Sequence, residues 1–284
     1  NEYSKISEVA IRSPLSSFVN DEKITNEWAP LRFHAKPDLK KAIIEYNYFR
    51  SFLEEDEIKI IELPSSDKLT LDSIYTRDSI VVCDSGLILC NMGRSSRTPE
   101  AKENFKTLAD NGYKIAGQIK SPGTLEGGDF IWIDDKNAAV GLGPRTNSEG
   151  IRQLKEILGP EIDLHVVNLP DPDHPDDVLH LMSIISPLDK DLAVIYKPFM
   201  PESFLNWLTN LGIEFVEVSE AEYPLMGCNI LATAPRSIIM LENLPEIKDK
   251  LEKIGCKIRF YKGDEISRKG EGGPTCLTRP LIRN

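Results

Sequence analysis

One recurring pattern limits the fold of this chain more than any other feature. Five segments open on a polar or small residue, run through β-branched and apolar residues, and turn at a charged or glycine-bearing break. They are RDSIVVCDSGLILCN, GGDFIWIDDKNAAVGLG, HLMSIISPLDKDLAVIY, GCNILATAPRSIIML and GGPTCLTRPLI. Each reads as strand, turn, strand. The opening residues Asp78, Asp129, His180, Asn229 and Cys276 are separated by 51, 51, 49 and 47 positions. A near-constant step predicts stacked or radial modules. Between the hairpins lie helical patterns, each followed by a strand: TPEAKENFKTLADNG, with Thr98 as its cap and Pro99 in its first turn, NSEGIRQLKEILG, PESFLNWLTNLGIEFVEV and LPEIKDKLEKIGC. The module is therefore strand, strand, helix, strand. EVAIRSP, the helix PDLKKAIIEYNYFRSFLEE and IKIIELP supply a further copy. Five units closing on themselves give a radial α/β barrel, with the hairpin starts converging on its axis from one side. The alternative is an ordinary mixed α/β sheet whose period is coincidental.

With 284 residues, 40% of them hydrophobic and 28% charged, the chain is long enough for a sizeable buried core. No linker or low-complexity stretch divides it, so a single domain over residues 1–284 is expected. The net charge of −11 argues against a nucleic-acid surface, which needs a basic face. No apolar run approaches the roughly 18 residues that cross a bilayer, and no secretory signal is visible at NEYSKISEVAIRS, although a processed one stays open. The five cysteines, Cys83, Cys90, Cys228, Cys256 and Cys276, are odd in number and contain no CxxC. A disulfide framework or thiolate metal site is not expected, and the chain reads as cytoplasmic with reduced thiols. Cys83 and Cys90 sit in apolar runs and read as small buried hydrophobes. NLPDPDHPDD, residues 168–177, reads as a connector. Residues 17–33, with Asn26 and Trp28, read as a polar loop: a surface loop, or a lid over a site.

YTRDSIVV, LEGGDFIW, GLGPRTN, HLMS and GGPTCLTRPL follow one another from residue 75 to residue 281. In that order they resemble the guanidine-modifying superfamily: arginine deiminases, dimethylarginine dimethylaminohydrolases and arginine–glycine amidinotransferases. With the N-terminal strand and helix, the resemblance covers essentially the whole chain. It implies a five-bladed α/β propeller with a cysteine nucleophile in its central channel. It also implies a small guanidino compound as partner, no cofactor and no metal. A homo-oligomer stays open.

The chemistry asks for these residue types. A guanidinium carbon is a poor electrophile, and a thiolate can attack it. Cys276 follows GGP, where backbone can approach a ligand closely; taken alone it would read as a buried structural cysteine. The leaving amine must be protonated and a water later deprotonated, a double task that suits histidine. Of His34, His165, His174 and His180, only His180 opens a hairpin, and it matches the family's general acid/base. The cation needs carboxylates. Glu126 matches the acid that binds the guanidinium and orients the histidine, and Asp78 matches the second. Asp129 reads either as a substrate-binding acid or as a structural partner at its hairpin. Arg97 and Arg145 match arginines that hold a substrate carboxylate, with Arg94 competing with Arg97.

Arginine deiminases and amidinotransferases usually carry HxD; here the motif is His180-Leu181-Met182. Dimethylarginine dimethylaminohydrolases also lack that acid. An unmatched N–H of plain arginine in a dry pocket would cost about 1–3 kcal/mol, which favours a substituted guanidine. The ending CLTRPLIR, in contrast, resembles that of arginine deiminases. The reading is a cysteine-dependent hydrolase giving citrulline through a thiouronium. The alternatives are an amidinotransferase and a non-catalytic arginine-binding protein.

Overall fold

The computed structural model describes residues 1–171 and 179–284. Most of the expected 168–177 connector, with His174, lies outside them. Strand β1 (Ile6–Ile11) leads through two short helices, α1 (Pro14–Ser17) and α2 (Asp21–Glu27), to α3 (Leu39–Glu55) and β2 (Lys59–Glu62). Next come β3 (Ile80–Cys83), β4 (Gly86–Leu89), α4 (Glu100–Asp110) and β5 (Ile115–Gln118). The same order returns as β6 (Phe130–Trp132), β7 (Asn137–Leu142), α5 (Ser148–Leu158) and β8 (Asp163–Asn168). It returns again as β9 (Ile185–Asp189), β10 (Leu192–Ile195), α6 (Glu202–Asn210) and β11 (Glu214–Glu217), and as β12 (Leu231–Ala234), β13 (Ser237–Leu241), α7 (Pro245–Lys253) and β14 (Lys257–Tyr261). The last strand is β15 (Arg279–Arg283).

These strands form five three-stranded sheets on one plan. Two strands pair antiparallel, and a helix then carries the chain to a third strand parallel to the second. The fold is thus a mixed α/β one. Two expectations merge in the fifth sheet. GGPTCLTRPLI is not a hairpin, and the N-terminal unit is not a separate copy. Instead β15 pairs antiparallel with β1, which pairs parallel with β2. Both termini are used in one sheet.

Local sequence explains the elements. The hairpin strands are rich in Ile, Val and Leu, which suit a pleated, buried surface, and Ile80, Val81, Ile88, Val140, Val194 and Ile239 are all buried. Asn147 caps α5 by accepting from Gly150 N at 2.8 Å, and Asp38 caps α3 by accepting from Lys41 N at 3.0 Å. Helix α4 starts one residue later than Thr98 would place it; Pro99 stands at the N-cap, and no side chain caps that end. Residues 17–33 are not a loop throughout. Asn20 caps α2 through Lys23 N at 2.8 Å, Lys23 pairs with Glu27 one turn on, and Phe33 is buried.

Hydrogen bonds near the hairpin starts join each sheet to the next. Arg77 N donates to Cys276 O at 3.2 Å and Gly127 N to Asp78 O at 2.6 Å. Leu181 N donates to Asp129 Oδ1 at 3.0 Å, and Ser186 Oγ to Cys228 O at 2.7 Å. Thr275 N donates to Asn229 Oδ1 at 3.1 Å. The contacts therefore run from the fifth sheet through the other four and back.

Candidate active site

The residues that open the hairpins are drawn together by this stitching. Glu126 precedes the tight turn Gly127–Asp129. A Cβ on Gly127 would lie 2.4 Å from Arg77 O, so only glycine lets the two segments approach this closely. His180 stands directly before β9's leading turn. Its Nε2 lies 2.7 Å from Glu126 Oε2 and its Nδ1 lies 3.8 Å from Asp78 Oδ1. All three side chains are buried. Cys276 is partly buried, and its Sγ accepts a hydrogen bond from Asn229 Nδ2 at 3.2 Å. Asn229 Oδ1 is held by Thr275 N, so the amide is oriented with its N–H toward the sulfur.

The electrostatics follow from this packing. Burial opposes a charge on His180, but Asp78, Asp129 and the Glu126 hydrogen bond outweigh it and raise the imidazole to about 9. Burial likewise opposes ionisation of Glu126, yet the bonded His180, Arg145 and Arg97 drive its carboxyl far below the usual range. Burial and the Asp78 carboxylate push the Cys276 thiol up to about 11, against the opposing donation from Asn229. Asp78 thus acts on both the sulfur and the imidazole. Its Oδ1 is buried and accepts no hydrogen bond. A histidinium, a thiol and an open carboxylate oxygen can together receive a flat cation and exchange protons with it.

The arginines and Asp129 are engaged to different degrees. Arg97 is buried and fully engaged: Nη1 bonds Asp78 Oδ2 at 2.5 Å, while Nε and Nη2 bond Glu100 at 2.8 Å each. Nη2 also donates to Tyr75 O at 2.8 Å. Its fork positions Asp78 rather than facing an open space. Arg145 Nη1 lies 3.4 Å from Glu126 Oε1. Arg94 is the more exposed of the three; it meets Asp72 Oδ2 at 3.1 Å, and its backbone N–H donates to Glu126 Oε1 at 3.0 Å. Asp129 accepts from Thr146 Oγ1 at 2.6 Å and from Leu181 N at 3.0 Å, and burial raises it to about 6. Its Oδ1 thus holds the His180 segment and its Oδ2 holds Thr146, contacts of the kind expected of a structural partner at this hairpin.

Among the other histidines, His165 stacks on Trp207 at 4.7 Å and His34 pairs with Glu271 at the surface. The five cysteines form no disulfide. Asn229 was visible as a hairpin opener but carried no role; its register with Asp78, His180 and Cys276 was the available signal.

The chain matches the family described as N,N dimethylarginine dimethylhydrolase, eukaryotic, over residues 19–283. It is 25% identical over 244 residues to the N(G),N(G)-dimethylarginine dimethylaminohydrolase of Pseudomonas aeruginosa, covering 86% of this chain and 89% of that protein. It is also 25% identical over 325 residues to the arginine deiminase of Listeria welshimeri, covering 100% of this chain and 77% of that one. A solved structure of the Pseudomonas aeruginosa enzyme in complex with citrulline superposes with a TM-score of 0.80 at 23% identity, over 99% of this chain and 100% of that chain, and so shares its fold. The chain belongs to the dimethylarginine dimethylaminohydrolase family, within the guanidine-modifying superfamily, and is a hydrolase acting on C–N bonds of linear amidines.

Proposed function

We propose that this protein hydrolyses the guanidinium group of arginine or an N-methylated arginine, releasing citrulline and ammonia or an amine. The observation that carries this reading is the buried Asp78 Oδ1, an acceptor without a donor, set beside His180 Nδ1 at 3.8 Å and close enough to Cys276 to raise its pKa. A guanidinium N–H supplies the missing donor. Its positive charge also opposes the influence of Asp78 on the sulfur, so the thiol gives up its proton to solvent as substrate binds and the thiolate forms. Cys276 Sγ attacks the guanidinium carbon, giving a tetrahedral adduct. His180, protonated at neutral pH, passes a proton to the departing nitrogen as the C–N bond breaks, leaving a thiouronium on Cys276. The now neutral His180 takes a proton from water, the hydroxide adds to the same carbon, and the C–S bond breaks to return the Cys276 thiolate, the hydroxyl proton passing to solvent as citrulline is released. Glu126 holds the imidazole through both steps.

The five sheets are read as the blades of one closed propeller, a single unit over residues 1–284; the hydrogen bonds that link every sheet to the next support this. With Arg97 committed to Asp78 and Glu100, the substrate carboxylate falls to Arg145 and Arg94. Met182, where deiminases usually carry an acid, favours an alkylated guanidinium with fewer N–H groups to match. The names of the relatives, a dimethylarginine dimethylaminohydrolase and an arginine deiminase, bracket the same substrate range.

Incubation with arginine, methylated arginines and agmatine, with products identified by mass, tests the reading. Citrulline from one of the amino acids is expected, with Cys276→Ser folded and inactive. Undiminished turnover by pure Cys276→Ser protein would overturn the assignment. Transfer of the amidino group to added glycine would replace hydrolysis by amidino transfer.

A further inference from the structure

A cavity of about 710 Å³ lies apart from Cys276, His180, Glu126 and Asp78, none of which lines it. Arginines 77, 279 and 283 line it together with Glu2. Arg77 and Arg279 are buried, and the Arg283 side chain is 9% exposed. Glu2 is the acid that meets them: its Oε2 lies 3.1 Å from Arg77 Nη1 and 4.0 Å from Arg283 Nη2. Arg279 is left without an ion pair among the described residues. Its guanidinium makes one hydrogen bond, from Nη2 to Arg77 O at 2.8 Å, and its buried Nε has no partner. Glu2 is thus divided between Arg77 and Arg283, and no carboxylate pairs with Arg279 among the described residues. Burying a cation without a counter-charge is costly, and leaving its N–H groups unmatched adds to that cost.

We propose that Arg279, with Arg77 and Arg283, holds the carboxylate of a small organic acid in this cavity, a second ligand site separate from that around Cys276. The planar forks match a carboxylate through paired, charge-assisted hydrogen bonds. Asp84, Asp134 and Asp135 also line the cavity, with Lys114, and these acids disfavour a phosphate dianion and favour a single negative charge. Trp132, Leu158 and Ile162 supply an apolar wall for the body of the molecule. The anion would sit against the back of the nucleophile segment, because Arg77 also donates from Nε to Thr275 O at 3.2 Å. This inference does not depend on the reaction proposed above.

Cys83 lines the cavity and is half-buried, whereas Cys90 and Cys228 are buried. In a Cys276→Ser background, the rate at which a thiol reagent labels Cys83 therefore reports on the cavity. The probes are sodium benzoate, inorganic phosphate and sodium chloride at matched ionic strength, with the thermal midpoint measured in parallel. Benzoate is expected to slow labelling several-fold and saturably and to raise the midpoint; chloride is expected to do neither. Arg279→Gln should abolish both effects. If that protein does not fold, Arg283→Gln takes its place and should weaken benzoate protection. Equal protection by chloride, protection by phosphate alone, protection unchanged in the substituted protein, or no response to benzoate in either readout would each overturn the proposal.

Discussion

Glu126 and His180 share a buried hydrogen bond of 2.7 Å between Oε2 and Nε2, and with the carboxylates of Asp78 and Asp129 that bond sets the protonation state in which the imidazole waits. Burial alone would keep His180 neutral; the surrounding carboxylates reverse this and raise it to about 9. Replacing Glu126 by Gln removes one of those charges and the charge-assisted bond. The alkaline limb of kcat/KM, expected near pH 9 in the native protein, should move to lower pH. kcat should fall about 10²–10⁴-fold, the range typical of lost acid–base catalysis. Unchanged pH profiles in the folded variant would remove Glu126 from this role.

The same shift has a thermodynamic consequence. A histidine raised in the folded state binds protons that the unfolded chain has released. Its contribution to stability is complete below the ordinary histidine value of about 6.5 and is lost as pH rises through about 9. The thermal midpoint should therefore decline between those two pH values. The slope should flatten in Glu126→Gln and in His180→Asn. A midpoint that rises over the same interval in the native protein would contradict the assigned direction.

The thiol offers an independent check, because its neighbours pull in opposite directions. Burial and Asp78 hold Cys276 up near 11, while the N–H of Asn229 lowers it. Alkylation proceeds through the thiolate. Asn229→Ala should therefore slow alkylation at pH 8. Asp78→Asn should speed it, even though the same change should raise KM for a guanidino substrate. Rates at several pH values, with substrate absent, separate the two effects. A slower reaction in Asp78→Asn would show that this acid does not act on the sulfur as described.

Most of this site was legible because its determinants are local. Asp78, His180, Asn229 and Cys276 each precede a strand in the same register, so equal spacing placed them equivalently before any coordinates were known. The pairing of β1 with β15 was not legible: it joins residues such as Ile6 and Arg283 from opposite ends of the chain, and no short-range pattern reports it. The partners of Arg97 were not legible for a different reason. Glu100 stands three residues on, at the first position of α4, which brings its carboxylate to the guanidinium as a local ion pair. Asp129 matched the periodic position, but its oxygens serve Thr146 and Leu181, contacts that only the packed neighbours define. Likewise the polar composition of residues 17–33 concealed α2, whose Asn20 cap and Lys23–Glu27 pair were both readable at short range.

The arginines can be sorted by a substrate comparison. Arg97 sits between two buried acids, so Arg97→Met should leave Asp78 and Glu100 uncompensated and cost about 3–5 kcal/mol of stability, as breaking buried pairs does. Any remaining activity should fall alike for arginine and for agmatine, which lacks the carboxylate. Arg94→Gln and Arg145→Gln should instead penalise arginine more than agmatine. Denaturant titration and paired kcat/KM values supply both readings. A selective loss with arginine in an Arg97 variant of native stability would restore Arg97 to the carboxylate site.

Gly128 tests whether the spacing between acid and base is as tight as the structure shows. A Cβ at this position would lie 2.6 Å from both Asp78 Oδ1 and His180 Nδ1. Real Cβ atoms do not approach so closely, so one of the two side chains must move. Both are buried with little room to yield, and His180 is also tied to Glu126. Gly128→Ala should therefore separate the imidazole from the carboxylate whose open oxygen awaits the substrate cation. Turnover should drop by at least about 10²-fold, since misplacement by about 1 Å has effects of that order. The global fold should survive, because the added methyl meets side-chain atoms rather than backbone. Circular dichroism and a thermal melt establish the fold, and steady-state kinetics with the best guanidino substrate establish the loss. Near-native turnover in a folded Gly128→Ala protein would mean that Asp78 and His180 do not act on one molecule from opposite sides of this glycine.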